Sequence, residues 1–284
     1  MLLIIKNSQV LHTHLDGLIK KGESIGFVPT MGALHEGHME LIRRSKSATT
    51  CTVCSIFVNP TQFNDPRDFQ KYPKTIEADI EKLVKEDCDI LFLPDVSDLY
   101  SSGLVGLESY DLGDLEHVYE GKYRPGHFQG VCQVMSRLLQ RVRPQQLFMG
   151  LKDYQQCMVV QRLIELLRLE TKLVGIPTVR EDSGLAMSSR NLRLSEENRA
   201  HAAEIYRALQ NLCKSIRAGD LQPLLANARQ QLSQKGFTVD YIEVADKFNL
   251  VPVRNWDGQQ QLVALAAVFL QEERLIDNVQ HCID

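Results

Sequence analysis

"VPTMGALHEGHMELIRR", residues 28–44, is the stretch on which the fold turns. Just before it, Ile25 to Val28 form a short apolar run that reads as a strand. Pro29 follows, then Gly32 and Gly37 with His35 and His38 three residues apart, and at Met39, Leu41 and Ile42 an amphipathic helical pattern begins. A strand that passes through a glycine-containing turn into a helix is the opening of a βαβ unit. Strand-like runs recur at Thr52–Val58, Ile90–Leu93, Gln146–Met149 and Lys172–Ile176, separated by helical patterns at 38–48, 75–87, 128–142 and 153–169. The runs are apolar throughout, as strands covered on both faces must be. This alternation predicts an α/β fold with a doubly wound parallel sheet, whose ligands gather at the carboxyl ends of the strands.

From about residue 181 the texture changes. The polar loop "EDSGLAMSSRN" leads into helical patterns at 195–215 and 222–235, then strand-like "TVDYIEVA" and "QLVALAAVFL", with "NWDG" as a turn between them. The expected division is therefore a domain at 1–180 and a smaller α+β C-terminal domain at 181–284. No internal repeat and no low-complexity tract interrupts it.

Composition narrows the function classes. Hydrophobic residues make up 44% and charged residues 24%, the balance of a globular protein. No run approaches the ~18 apolar residues of a membrane span, so no membrane partner is expected. "MLLIIKNSQV" has too short an apolar run and no small-residue cleavage site for a signal peptide, which gives a cytoplasmic expectation. Net charge is −4 with no block of like charge, which argues against nucleic acid as a partner. Seven cysteines lie scattered at 51, 54, 88, 132, 157, 213 and 282. Cys51 and Cys54 form a C-x-x-C inside a β-like run without a second pair, so buried free thiols are expected rather than a zinc ribbon or redox motif.

The histidine pair admits three readings. A zinc site would need a third ligand, and H-E-G-H lacks the spacing of the H-E-x-x-H metalloprotease helix. A structural pair would cap the helix and meet solvent. In the third reading the glycines let backbone and phosphates approach, the helix start supplies N–H groups and a positive dipole end, and two imidazoles meet charge developing on phosphate oxygens. Physical chemistry favours this last one. "GLKDYQQ" (150–156) sets Lys152 at another strand end, with two glutamines on the following helical turn. "NPTQF" (59–63) brings Gln62 from the neighbouring strand end, so that two neutral amides could grip one small polar molecule. "RPGHF" (124–128) adds Arg124 and His127, and "MSSR" (187–190) puts two hydroxyls and a guanidinium on a flexible loop suited to closing over phosphates.

Together "PTMGALHEGH", "SIFVNPTQF", "YPKT", "RPGHFQGV", "GLKDYQQ", "GIPTVREDSGLAMSSRN" and "RLIDN" (274–278) resemble the pantoate–β-alanine ligase (pantothenate synthetase) family over essentially the whole chain. Through H-x-G-H that family resembles the nucleotidyltransferases, which implies a Rossmann-like sheet. The resemblance implies attack of the pantoate carboxylate on the α-phosphate of ATP, giving pantoyl adenylate and pyrophosphate. The amine of β-alanine then takes the acyl group and AMP leaves. It further implies that Met31, Gly32, Ala33, Leu34, His35, Glu36, Gly37 and His38 contact ATP, with His38 as proton donor and His35 and Lys152 sharing the catalytic work. Gly150, Leu151, Lys152, Asp153, Val179, Met187, Ser188, Ser189 and Arg190 would complete the ATP site. Gln62 would touch pantoate and β-alanine, Gln156, Arg124 and His127 would serve pantoate, and Asp79 would help hold Mg²⁺. A homodimer through the N-terminal domain is implied as well. Leu151 departs from the pattern, because many members carry glutamate there; with Lys152 and Asp153 intact, the ATP site is expected to survive with altered local electrostatics.

Two other functions use the same residues. An adenylyltransferase acting on a phosphate-bearing acceptor would need more Arg and Lys than the two glutamines offer. A non-enzymatic metal-binding module would leave Lys152, the glutamines and "MSSR" without a role. A tRNA synthetase is disfavoured by length, charge and the lack of an anticodon-binding extension.

Overall fold

The computed structural model describes residues 1–64 and 66–281. It divides into two compact units, Met1–Leu151 with Gln156–Pro177, and Lys152–Gln155 with Thr178–Asp284. The division thus falls at Pro177 rather than at the expected 180, and Lys152–Gln155 group with the second unit.

The first unit holds strands β1 (Leu3–Ile5), β2 (Ile25–Thr30), β3 (Cys51–Ile56), β4 (Ile90–Phe92), β5 (Gln146–Gly150) and β6 (Lys172–Ile176). Its helices are α1 (Ser8–Ile19), α2 (Glu36–Ala48), α3 (Pro66–Gln70), α4 (Ile76–Lys85), α5 (Val96–Leu99), α6 (Tyr119–Tyr123) and α7 (His127–Val142), and α8 (Tyr154–Leu166) follows β5. The strands form one parallel sheet in the order β1-β4-β3-β2-β5-β6. Strand side chains alternate between faces, and here each face has its own core. Ile25, Phe27, Val53, Ile90, Phe92, Leu147 and Met149 point to the face covered by Leu11 and Leu15 of α1, by α7 and by α8. Val28, Cys54, Ile56, Leu91 and Phe148 point to the other, where Met39, Leu41 and Ile42 of α2 and Leu83 of α4 cover them.

The strand order locates the site. The chain leaves β2 towards β3 and β4 on one side, whereas it leaves β5 towards β6 on the other. The carboxyl ends of the adjacent strands β2 and β5 therefore flank the topological switch point, where doubly wound sheets bind their ligands. Met31–His38 follow β2 and Gly150 closes β5. Contrary to the expectation from sequence, Gln62 and Gln156 do not come from adjacent strands. They follow β3 and β5, which sit on either side of β2.

The second unit carries α9 (Glu196–Ala202), α10 (Glu204–Ser215) and α11 (Gln222–Gln234) with strands β7 (Gly219–Asp220), β8 (Thr238–Asp246), β9 (Asn255–Trp256), β10 (Leu262–Leu270) and β11 (Glu273–His281). β11, β10 and β8 pair antiparallel in that order. Leu262, Ala264, Ala266, Val268 and Leu270 of β10 form a core with Ile205, Leu209 and Leu212 of α10 and with Leu225 and Leu232 of α11. The smaller α+β unit expected from the sequence is thus present, with three additional strands, β7, β9 and β11; Asn255–Trp256, expected as part of a turn, instead pair with Gly219–Asp220. Cys51, Cys54, Cys88, Cys132, Cys157 and Cys213 are buried free thiols, as expected, and Cys282 lies outside the described residues. Among the described residues no helix is long and apolar enough to cross a membrane.

Candidate active site

The turn after β2 is held by its neighbours at nearly every peptide. Gly32 has φ +84°, a left-handed conformation natural to glycine, and a Cβ there would lie 3.1 Å from Ile56 and 3.2 Å from Asp79. Ala33, at φ +49°, takes a left-handed conformation that costs an L-residue about 1–2 kcal/mol. Asp79 offsets that cost. Its carboxylate, fully buried, accepts the N–H of Ala33 at 2.9 Å and of Leu34 at 2.7 Å, and the hydroxyl of Thr75 at 3.2 Å. One helical turn further along α4, Lys82 Nζ donates to the carbonyl of Leu34 at 2.5 Å. The hydroxyl of Thr30 accepts the Gly32 N–H and itself donates to Ser55 O.

This turn delivers both histidines to the start of α2, with the extended His35 as the residue preceding the first helical turn. The N–H groups of Glu36 and Gly37 then have no partner within the helix. His38 Nδ1 accepts the backbone N–H of His35 at 3.2 Å, and the two rings stand 4.0 Å apart, tilted by 40°. An acceptor Nδ1 leaves the proton of the neutral ring on Nε2. His38 is thereby set as an Nε2–H donor. Glu36 is exposed and pairs with Arg43 on the same helix.

After β3, Asn59 organises the next element, a short 3₁₀ turn at Pro60–Gln62. Asn59 is 1% exposed; its Oδ1 accepts the phenol of Tyr100 at 2.8 Å, and its Nδ2 donates to Gly130 O at 3.0 Å and Gln62 Oε1 at 3.3 Å. Gln62 Nε2 in turn donates to Met31 Sδ at 2.8 Å. Burial raises the Tyr100 pKa, so the phenol stays a donor. Gly130 of α7 meets this turn at its backbone: a Cβ would lie 2.2 Å from Thr61 O and 2.7 Å from Gln62 Cα. His127 reaches the same place. Its Nδ1 is 2.7 Å from Gln62 O, and its Nε2 is 3.1 Å from Arg124 Nη1. Arginine can only donate, so Nε2 accepts and the Nδ1 proton goes to the Gln62 carbonyl. Here His127 and Arg124 hold Gln62.

Asp79 does not fit the role of a Mg²⁺ ligand implied by the family resemblance. Its oxygens are engaged by two backbone N–H groups and a hydroxyl at zero exposure. Among the described residues no group of three or more His, Cys, Asp or Glu could hold a metal ion.

β5 ends at Gly150, whose carbonyl accepts from the thiol of Cys157. Leu151 packs its side chain where a Cβ on Gly175 of β6 would stand, 2.7 Å from its Cδ2. The Leu151 side chain thus occupies the space left open by Gly175 of β6. Gln156, half-buried, is the first residue of α8 grouped with the first unit, while Gln155 is 3% exposed.

The remaining residues named from the sequence belong to the second unit. Lys152, 17% exposed, lies with its Nζ 3.6 Å from Asp153 Oδ1. Val179 O accepts the Met187 N–H, and in the same hairpin Glu181 donates its N–H to Leu185 O while its carbonyl accepts the N–H of the turn residue Gly184. Ser188 Oγ accepts the Arg190 N–H and opens a 3₁₀ turn, in which Ser189 is buried. Asn191 ties the turn to Glu181 and Ala186 O. The stretch read from the sequence as a flexible loop is a hairpin followed by a tied turn.

Sequence reasoning missed Asn59, although an Asn-Pro pair opening a turn is a capping signal. It also missed Tyr100, Lys82 and Gly130, which no local pattern marks.

Fold and site together define a class: a doubly wound enzyme with a His-x-Gly-His turn fixed at the switch point and an amide-rich turn beside it. The sequence model of the pantoate–β-alanine ligase family matches residues 3–280, and the chain belongs to that family. It is an enzyme of this kind, and its reaction is a step of pantothenate synthesis. A pantothenate synthetase of Azobacteroides pseudotrichonymphae is 41% identical over 280 residues, covering 98% of this chain and 99% of the relative. The crystal structure of pantothenate synthetase from Thermus thermophilus superimposes with a TM-score of 0.89 at 37% identity, covering 98% of this chain and 99% of that one. A pantoate–β-alanine ligase from Francisella tularensis, complexed with β,γ-ATP and β-alanine, gives a TM-score of 0.83 at 36% identity over 99% and 98% of the two chains.

Proposed function

We propose that this enzyme activates the carboxylate of pantoate with ATP, releasing pyrophosphate, and then lets the amine of β-alanine displace AMP from the pantoyl adenylate. The observation that carries the reading is the fixed state of His38, whose Nδ1 is occupied by the His35 N–H so that Nε2 presents a proton to developing phosphate charge. Support also comes from the Francisella relative, whose crystal structure is of a complex with β,γ-ATP and β-alanine. Met31–His38 and Gly150–Asp153 receive the nucleotide, together with Val179 and Met187–Arg190. Gln62 and Gln156, on either side of β2, hold pantoate, and Gln62 also meets β-alanine. Lys152 adds a cation for the phosphates, and Arg190 guards the reactive anhydride against water. Mg²⁺ enters on the ATP phosphates rather than through Asp79. The first unit is the nucleotide- and pantoate-binding domain. A homodimer in the cytoplasm completes the proposal, on the family resemblance; sedimentation measures the assembly.

The test is pyrophosphate release from ATP, Mg²⁺ and pantoate without β-alanine. A stoichiometric burst is expected. His38→Ala should lower its rate by roughly 10²–10³, the usual loss for one such donor, with a smaller change in ATP affinity. Pyrophosphate that appears only when β-alanine is present removes the two-step reading.

A further inference from the structure

The C-terminal stretch "RLIDN" lies in β11, and two of its residues are buried and polar: Asp277 at 5% exposure and Asn278 at 6%. Successive strand residues face opposite sides, so the pair serves two directions. Asp277 holds Arg180 in a bidentate pair, Nη1–Oδ2 at 2.6 Å and Nη2–Oδ1 at 2.9 Å. The same guanidinium donates to Gly184 O at 3.1 Å and Asn278 O at 3.2 Å, and lies 3.6 Å from the ring centroid of Tyr206. The backbone N–H of Asn278 donates to Asp277 Oδ1 at 2.8 Å. The main chain of Asn278 is thus gripped through both its carbonyl and its N–H. Its side chain then does one further thing: Nδ2 donates to the carbonyl of Lys152 at 2.9 Å, across 126 residues of sequence.

Stability alone is a poor reason for this arrangement. Burying an ion pair costs about as much as its attraction returns, and well-packed apolar side chains would serve as well. Burial does push the Asp277 carboxyl up, against the opposing pull of Arg180 and, more weakly, Lys152. An apolar pair could not aim a peptide carbonyl. We infer that Asn278, anchored by the Arg180–Asp277 pair, is a positioning residue that sets the backbone of Lys152 and hence the direction of its ammonium group. The inference rests on the assignment of Lys152 to the phosphates of ATP. The hairpin at 179–187 hangs from the same guanidinium, so one strand fixes both Lys152 and the approach to Ser188–Arg190 within the second unit.

Pantoate-dependent exchange of pyrophosphate into ATP tests this, measured with thermal unfolding for Asn278→Ala, Asn278→Asp, Lys152→Ala and the double variant Asn278→Ala/Lys152→Ala. Misplacement by about 1 Å can cost up to 10²-fold in rate. Asn278→Ala should therefore slow exchange by about 10-fold or more, chiefly in kcat, while KM for ATP changes less. Asn278→Asp, isosteric but without the N–H donor, should slow it at least as much. The double variant should be no slower than Lys152→Ala, because residues acting as one unit do not add. Multiplicative losses in the double variant, or normal exchange in Asn278→Ala beside a slow Lys152→Ala, would overturn the positioning role alone. Normal exchange in Lys152→Ala would remove the assignment of Lys152 to ATP, and the inference with it.

Discussion

Asp79 shows what a single buried carboxylate can do for a turn. It lies 45 residues from Leu34 in sequence, yet it meets two consecutive backbone N–H groups just where Ala33 takes a left-handed conformation. Asp79→Asn keeps the shape and loses the charge, and its amide must turn an NH₂ towards one of those N–H groups. An unsatisfied buried donor costs about 1–3 kcal/mol. The variant should lose stability of that order and turn over more slowly, because the histidines ride on the same turn. Binding of Mn²⁺ in the presence of ATP, followed by electron paramagnetic resonance, should be unchanged. Loss of Mn²⁺ binding with unchanged stability would make Asp79 a metal ligand after all. The same logic explains why Leu34 needs two partners on α4: Asp79 takes its N–H and Lys82 its carbonyl, so the peptides on either side of Leu34 are both fixed before His35 is reached.

At the scale of elements, the contact between α7 and the Pro60–Gln62 turn decides how well Gln62 is aimed. Gly130→Ala forces a methyl against Thr61 O at 2.2 Å, and neither side of that contact is a flexible side chain. Overpacking of this kind costs about 1–3 kcal/mol. KM for pantoate is expected to rise by at least about 10-fold, since one misdirected hydrogen bond of about 1.4 kcal/mol is worth that factor, while ATP affinity in titration stays close to normal. An unchanged KM for pantoate would detach Gln62 from that substrate. The elements themselves were unevenly legible in the sequence. The five expected strands of the parallel sheet appear within about two residues of their expected ends, because continuous apolar runs are forced by burial on both faces. β1 was missed since Leu3–Ile5 is too short to show a period, and α1 since only Leu11 and Leu15 of it are buried. The pattern at 195–215 ran through a break at Ala203 that divides α9 from α10. In the site, the histidine turn was readable because all its signals are local. Asn59 with Tyr100, and Asn278 with Lys152, were not, because each pair meets only through the tertiary fold.

For the whole molecule, the buried thiols set an alkaline limit. Desolvation raises Cys51 from its ordinary 9.0 to about 11, Cys88 and Cys132 to about 12, and Cys54 well above its usual range. Unfolded thiols ionise near 9, so above that pH the unfolded chain gives up protons that the folded chain keeps. The thiols' contribution to stability is then fully present below about pH 9 and is lost as pH rises towards about 12. Melting temperatures between about pH 8.5 and 10.5 should decline, and the Cys132→Ala variant should decline less steeply than the wild type; parallel curves would rule out this source. The strand order has a consequence for how the chain is made. Leu3–Ile5 pairs with Ile90–Phe92, and Gly26–Phe27 with Gln146–Leu147. A growing chain therefore emerges from the ribosome with its first strand unable to pair until the fourth has followed. The edge of β2 then stays open until the fifth arrives. Such long-range parallel pairing folds slowly and leaves strand edges open to other chains in the meantime. The arrangement that places the His-x-Gly-His turn at the middle of the sheet also makes that middle one of the last places to close during synthesis.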